Sequence, residues 1–323
     1  MKSWGAMWVT TICALAAALG PSLAAGQTWP QRPVRVITPF VAGGNTDSQA
    51  RIVSERLSAV LGQPFVVENR VGAGGAIAAE FVAKAPADGY TLFFAASPLL
   101  SLPLIQKVNY DPFRDFTPIS IVGIAPFVMG VHISVPAKTV KEFVDYVKTR
   151  PGQMNYSSGG TGTGSHLSAA LFLARAGLRM QHIPYKGGAQ SIADLVGGQV
   201  HMSFGNASEL IQHSKSGKVR MLAVSTDKRS AQLPDVPAVA ETYAGFRTYS
   251  WNGYLVPAAA PKPIIERIGQ EVMKIVREPA TAERLNNIGV EPLGNTPAEF
   301  AEFMRQDAAV WRDAVNAAGI KLD

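Results

Sequence analysis

Two stretches of this chain bring together residue types that could do chemistry. Ala42-Gly43-Gly44-Asn45-Thr46-Asp47 sets two glycines before three N-cap residue types, and Ser158-Gly-Gly-Thr-Gly-Thr-Gly-Ser165-His166 interleaves glycines with hydroxyls. Each follows a short apolar run and precedes a helical pattern. A glycine turn running into a capped helix start leaves N–H groups aimed at one point, where an anion binds. The bland alternative is a tight turn that binds nothing. One helix N-terminus contributes about 0.3–1 kcal/mol, or about 2 when partly buried. Two fall short of the roughly 8 kcal/mol of a micromolar complex. Charge-assisted hydrogen bonds of about 1.5–3 kcal/mol each would close the gap if several donors met one carboxylate away from water.

Catalysis has less support. Ser165 and His166 are adjacent, and helix neighbours point to different faces, so they form no nucleophile–base pair by themselves. No G-x-S-x-G elbow occurs, and the five histidines lack metal-ligand spacing. Gly72-x-Gly74-Gly75 lacks the sixth-position glycine or alanine of a dinucleotide loop, having Ile77 there, and reads as tight strand–helix packing. No metal and no cofactor is expected.

The elements that must position these turns alternate. Val34, Val36, Ile37 and Phe40 suit a buried strand, and Ala50, Val53, Leu57 and Leu61 mark one face of the helix after it. Strands over 65–68 and 91–96 with a helix to Lys84 extend the rhythm, which predicts a parallel sheet with helices on both faces. The turn-rich 109–116 breaks it. Strands are then expected at 117–122, 127–133, 154–157, 182–185, 200–204 and 219–225. Intervening helices fall at 140–148, 167–176, 189–196 and 208–215. A rigid Leu233-Pro-Asp-Val-Pro237 connector leads to a strand at 249–256. In the last helix Phe300, Met304, Ala308, Trp311 and Val315 form one apolar, core-facing stripe.

Lys2, the apolar run Met7–Leu19 and small residues near Ala24–Gly26 read as a cleavable export signal over residues 1–26. The single cysteine, Cys13, lies within it, so the mature chain is expected to lack disulfides and thiolate chemistry. The remainder is long enough for two ordinary domains. A net charge of +6 without a Lys/Arg block argues against nucleic acid.

With both turns in view, the sequence resembles the periplasmic substrate-binding proteins of tripartite tricarboxylate transporters, the Bug family. The matching blocks include Pro39–Asp47, Val67–Gly75, Ala87–Thr91, Tyr110–Phe116, Asn155–Gly159, Gly162–His166, Pro184–Gly187, Asp194–Gln199, Lys228–Ser230, Pro234–Pro237 and Ser250–Gly253. The resemblance implies an α/β, two-lobed "Venus flytrap" fold, each lobe a mostly parallel sheet flanked by helices, with two crossover strands. Residues 27–105 and 228–323 would form one lobe and 106–227 the other, with hinge crossings near 98–116 and 220–232.

It further implies a small organic carboxylate held between the lobes and passed to membrane permease subunits by a periplasmic, monomeric, non-enzymatic receptor. Carried over, the ligand-binding positions are Ala42, Gly43, Gly44, Asn45, Thr46 and Asp47 in one lobe and Ser158, Gly162, Thr163 and Ser165 in the other, with Lys186 and Gly187 at the next turn. Ser97, Asn206 and Trp251 complete the candidates. Family Asn-Pro at 101–102 and Tyr at 105 are replaced by Ser101, Leu102 and Ile105, and the Asp after Phe204 by Gly205. The first change suggests a more hydrophobic or aromatic acid, mono- or dicarboxylic; the second argues against an amino acid. A sensing module for a receptor kinase, or a hydrolase using Ser165 and His166, are the alternatives.

Overall fold

The computed structural model describes residues 29–230, 232–317 and 319–320; the export signal and Cys13 lie outside them. Strand β1 (Val34–Thr38) is flanked in parallel by β2 (Phe65–Asn69) and β3 (Thr91–Ala96). Helix α1 (Asn45–Leu61) follows β1, buries Ala50, Ile52, Val53 and Leu57, and ends where Gly62 turns left-handed at φ 72°. Helices α2 (Ala76–Ala83) and the short α3 (Pro98–Ser101) follow β2 and β3.

The two strands expected at 117–122 and 127–133 are one 17-residue strand, β4 (Phe116–His132). Gly123 and Pro126 read as breakers, but neither breaks it. Gly123 lies where strand β10 (Glu291–Pro292) passes so close that a Cβ would stand 2.6 Å from the Glu291 carbonyl oxygen. Pro126 sits where β4 changes partners, at the last residue paired to β9 (Tyr249–Pro257), and its missing N–H is tolerated at such a switch. From Phe127 onward β4 pairs instead with β7 (Met202–Asn206) and β8 (Val219–Val224).

The second half repeats the first in plan. After α4 (Val140–Lys148), β5 (Asn155–Ser158) lies parallel to both β6 (Gln181–Pro184) and β7. Helices α5 (Gly164–Ala176), α6 (Gly188–Val196) and α7 (Ala207–Lys215) follow β5, β6 and β7. The spatial order is β2-β1-β3-β9-β4-β7-β5-β6. The chain returns through Ser225, whose Oγ accepts from Phe127 N (2.9 Å) and donates to Thr248 O (2.6 Å), fastening the way out to the way back.

Helices α8 (Lys262–Arg277), α9 (Pro279–Asn287) and α10 (Pro297–Ala317) close the fold. The stripe of α10 is buried as its spacing predicts. One apolar cluster runs through both halves, from Phe93 to Phe143, Phe172, Trp251 and Trp311. All six parallel-strand-to-helix turns open at the carboxyl ends of their strands, where ligands bind in open α/β sheets. Among the described residues no helix is long and apolar enough to cross a membrane.

Candidate functional site

The first turn is locked by Asp47. Its Oδ2 accepts from Gly43 N (3.0 Å) and Arg51 Nε (2.9 Å), and its Oδ1 accepts from Asn69 Nδ2 (2.8 Å). Burial opposes its ionisation, but the bonds from Arg51, Gly43 and Asn69 prevail and hold its pKa below the usual range. Gly43 takes φ 84°, a conformation that a side chain would strain. Behind the turn a polar chain is fully buried. Gln49 Nε2 donates to Asn45 Oδ1 (2.6 Å) and Asn252 Oδ1 (2.7 Å), while Asn252 Nδ2 donates to Thr46 Oγ1 (3.1 Å). Thr46 thereby accepts from behind and keeps its hydroxyl hydrogen for the cleft.

The second turn largely satisfies itself. Gly159 N donates to Ser165 Oγ (3.0 Å), Gly160 N to Ser158 Oγ (3.2 Å) and Gly162 N to His166 Nδ1 (3.1 Å). Thr163 caps α5 and donates its hydroxyl to Gly160 O (2.7 Å). The His166 ring stacks on His182 at 4.0 Å, and Ser158 Oγ lies 2.7 Å from His182 Nε2. Burial pushes His166 down to about 4; burial and the neighbouring His166 push His182 down to about 3. Both rings are therefore neutral struts. The amides of Gly164 and Ser165, at the first two positions of α5, make no hydrogen bond among the described residues, nor do those of Asn45 and Thr46 in α1 or Gly188 in α6.

These turns face each other across one cleft. It is lined by Gly44, Asn45, Thr46, Ser97 and Ser250 on one side and by Gly159, Thr163, Gly164, Ser165, Gly188 and Asn206 on the other, with Phe40, Phe127 and Phe204 as apolar walls. Its interior offers about 60 Å³ to the centre of a water-sized sphere. One water needs roughly 10–15 Å³, so the closed cleft suits a compact molecule. Among the described residues no lysine, arginine or histidine lines it, and the single ionisable lining residue is Glu209.

A sequence profile described as the tripartite tricarboxylate transporter family receptor matches residues 49–320. The chain belongs to this family. Three solved structures are similar to this receptor. An R. palustris protein solved with adipate is 34% identical and superposes with a TM-score of 0.89 over 92% of this chain and 100% of its own. The periplasmic binding protein BugD is 33% identical, with a TM-score of 0.87 over 91% and 100%. MatC from Rhodopseudomonas palustris, with bound malate, is 29% identical, with a TM-score of 0.84 over 89% and 100%. The two-lobed periplasmic-binding-protein fold is thus the receptor's fold, and family members are periplasmic solute receptors rather than enzymes.

The receptor brings together Gly44, Asn45, Thr46, Ser97, Thr163, Ser165 and Asn206 at the cleft. Ala42, Gly43, Asp47, Ser158 and Gly162 do not line it: Ala42 and Gly43 are exposed, while Asp47, Ser158 and Gly162 are buried within the two turns. Lys186 is exposed outside the cleft, and a Cβ at Gly187 would stand 2.9 Å from Val41 Cγ2, so this glycine admits the opposite half. Trp251 does not wall the cleft. It is wholly buried on the far side of β9, donating to Asp307 Oδ2 (2.6 Å) beside Phe300. Nor does the apolar 99–105 segment reach the cleft: Leu102 and Ile105 pack over Gly162, which removes that ground for a hydrophobic acid. Ser165 and His166 form no hydrogen bond with each other. Glu209 was missed, although Asn206-x-x-Glu209 spells a capping box at the start of α7.

Proposed function

We propose that this receptor, exported through its N-terminal signal, binds a small organic carboxylate between its lobes and delivers it to a tripartite tricarboxylate-type permease. The observation that carries this reading is the convergence of unbonded helix-start amides from α1, α5 and α6 on a cleft without a cation. Such a site neutralises a carboxylate by dipoles and hydrogen bonds alone. The adipate and malate held by the two relatives support the same ligand class.

The amides of Asn45, Thr46, Gly164, Ser165 and Gly188, with the hydroxyls of Thr46 and Ser97, would hold the carboxylate. The other turn residues would position them. The lobes would meet at Pro126–Phe127 in β4 and at the Ser225–Thr248 return, with 29–126 and 249–320 in one lobe and 127–224 in the other. Titration calorimetry against a panel of two- to eight-carbon acids tests the reading. At least one should bind at micromolar affinity or better, and Thr46→Ala should weaken it by about 1–3 kcal/mol. Absence of binding by every acid would refute it.

A further inference from the structure

Resting on the carboxylate reading above, we propose that Glu209 selects the ligand: the group a bound carboxylate presents to α7 is a hydrogen-bond donor, a hydroxyl or an ammonium, and a second carboxylate is rejected.

Glu209 is the one ionisable side chain in the cleft lining, and burial pushes its pKa up against the opposing bonds from Asn206. Its Oε2 accepts from Asn206 N (3.0 Å) and, at a longer 3.4 Å, from Asn206 Nδ2. Its carboxyl group lies directly over the bare Cα of Gly188; a Cβ there would stand 2.0 Å from Oε1. The carboxyl group is therefore anchored by the start of α7 and packed against the start of α6. The reciprocal bond of a capping box, from Glu209 N to Asn206 Oδ1, falls short of good geometry, and Asn206 Oδ1 is left as a buried acceptor without a partner. The Glu209 carboxyl group is thus the acceptor at this end of the cleft, and among the described lining residues no lysine or arginine answers it.

At a pH where Glu209 is ionised, a second carboxylate within about 5 Å would face an unscreened like charge. At an effective dielectric of about 20 this amounts to roughly two powers of ten in affinity. A dicarboxylate could enter only with a proton to share between the two groups. A hydroxyl or ammonium would instead satisfy that acceptor. Gly205, the next residue in the lining, has no side chain to serve this role, and a Cβ there would point at Ile192 Cδ1 (2.8 Å) and Leu210 rather than into the cleft.

The test is calorimetry on the full receptor at pH 8.5, where proton sharing is least favourable, with the hydroxy acid, amino acid and diacid of three, four and five carbons. The tightest hydroxy or amino acid should bind at least tenfold more tightly than the tightest diacid. Glu209→Gln, which keeps the side-chain length and the cap on Asn206 N, should shrink that ratio at least tenfold with Tm within a few degrees of wild type. A diacid binding as well as the others, or a ratio unchanged in Glu209→Gln, overturns the role of Glu209 while leaving the carboxylate reading standing. Binding by none of the acids to either protein overturns both.

Discussion

Asn45 Nδ2 lies 3.1 Å from Ser208 Oγ, joining the first residue of α1 to the first turn of α7 across the cleft. Ser101 Oγ, which donates to Gly162 O at 2.6 Å, makes a second bond between the lobes. Each favours closure by about 0.5–1.5 kcal/mol. Ser208→Ala should therefore weaken ligand binding by about two- to tenfold and leave Tm nearly unchanged. Small-angle scattering should show a larger radius of gyration without ligand. An unaltered affinity would remove this bond from the closing energy.

Gly187 makes room for Val41 of the other lobe. Gly187→Ala should hold the lobes apart by a few tenths of an ångström and weaken binding, and adding Val41→Ala should restore it. Calorimetry on the two single variants and the double variant checks this coupling. Additive losses would mean that Gly187 acts locally.

Asp307 accepts both indole N–H groups, from Trp251 at 2.6 Å and Trp311 at 2.8 Å, in the core. Burial raises its pKa to about 7 despite these bonds. A carboxyl raised in the folded state binds the extra proton there. Its favourable contribution is complete below the unfolded value near 3.8 and is lost as pH rises toward 7, on the order of 4 kcal/mol in all. Asp307→Asn should thus gain Tm relative to wild type between pH 5 and pH 8. A pH-independent difference would show that Asp307 does not titrate there.

His166 runs the other way. Its folded value of about 4 lies below the unfolded 6.5, so the unfolded chain takes up the proton first. Stability falls as pH drops from 6.5 toward 4, by on the order of 3 kcal/mol. Because Gly162 N needs an unprotonated Nδ1, acid should loosen the second turn as well. His166→Gln should gain Tm relative to wild type between pH 8 and pH 5, the reverse of Asp307→Asn. Equal differences at both pH values would count against a buried neutral imidazole.

Residues with period and composition on their side were legible in the sequence. The Val34–Ile37 run, the α10 stripe and the glycine–hydroxyl turns all point to where they lie. What was not legible depends on partners distant in sequence. Gly123 and Pro126 look like strand ends until β10 and the change of partners at Phe127 are seen. Trp251 stands in a block that matches the family, but nothing local says that its indole reaches Asp307, 56 residues on. Glu209 reads as an ordinary helix-start acid. Only the approach of Gly188 from another element makes it a cleft residue. The second turn looked like a set of open amides, yet its own serines, threonine and histidine use most of them.

The lack of any cation in the lining also bears on salt dependence. A carboxylate inside the closed cleft meets dipoles and hydrogen bonds rather than a point charge, and buried contacts are screened far less than exposed ones. The rate at which it leaves should therefore change little between dilute and concentrated salt.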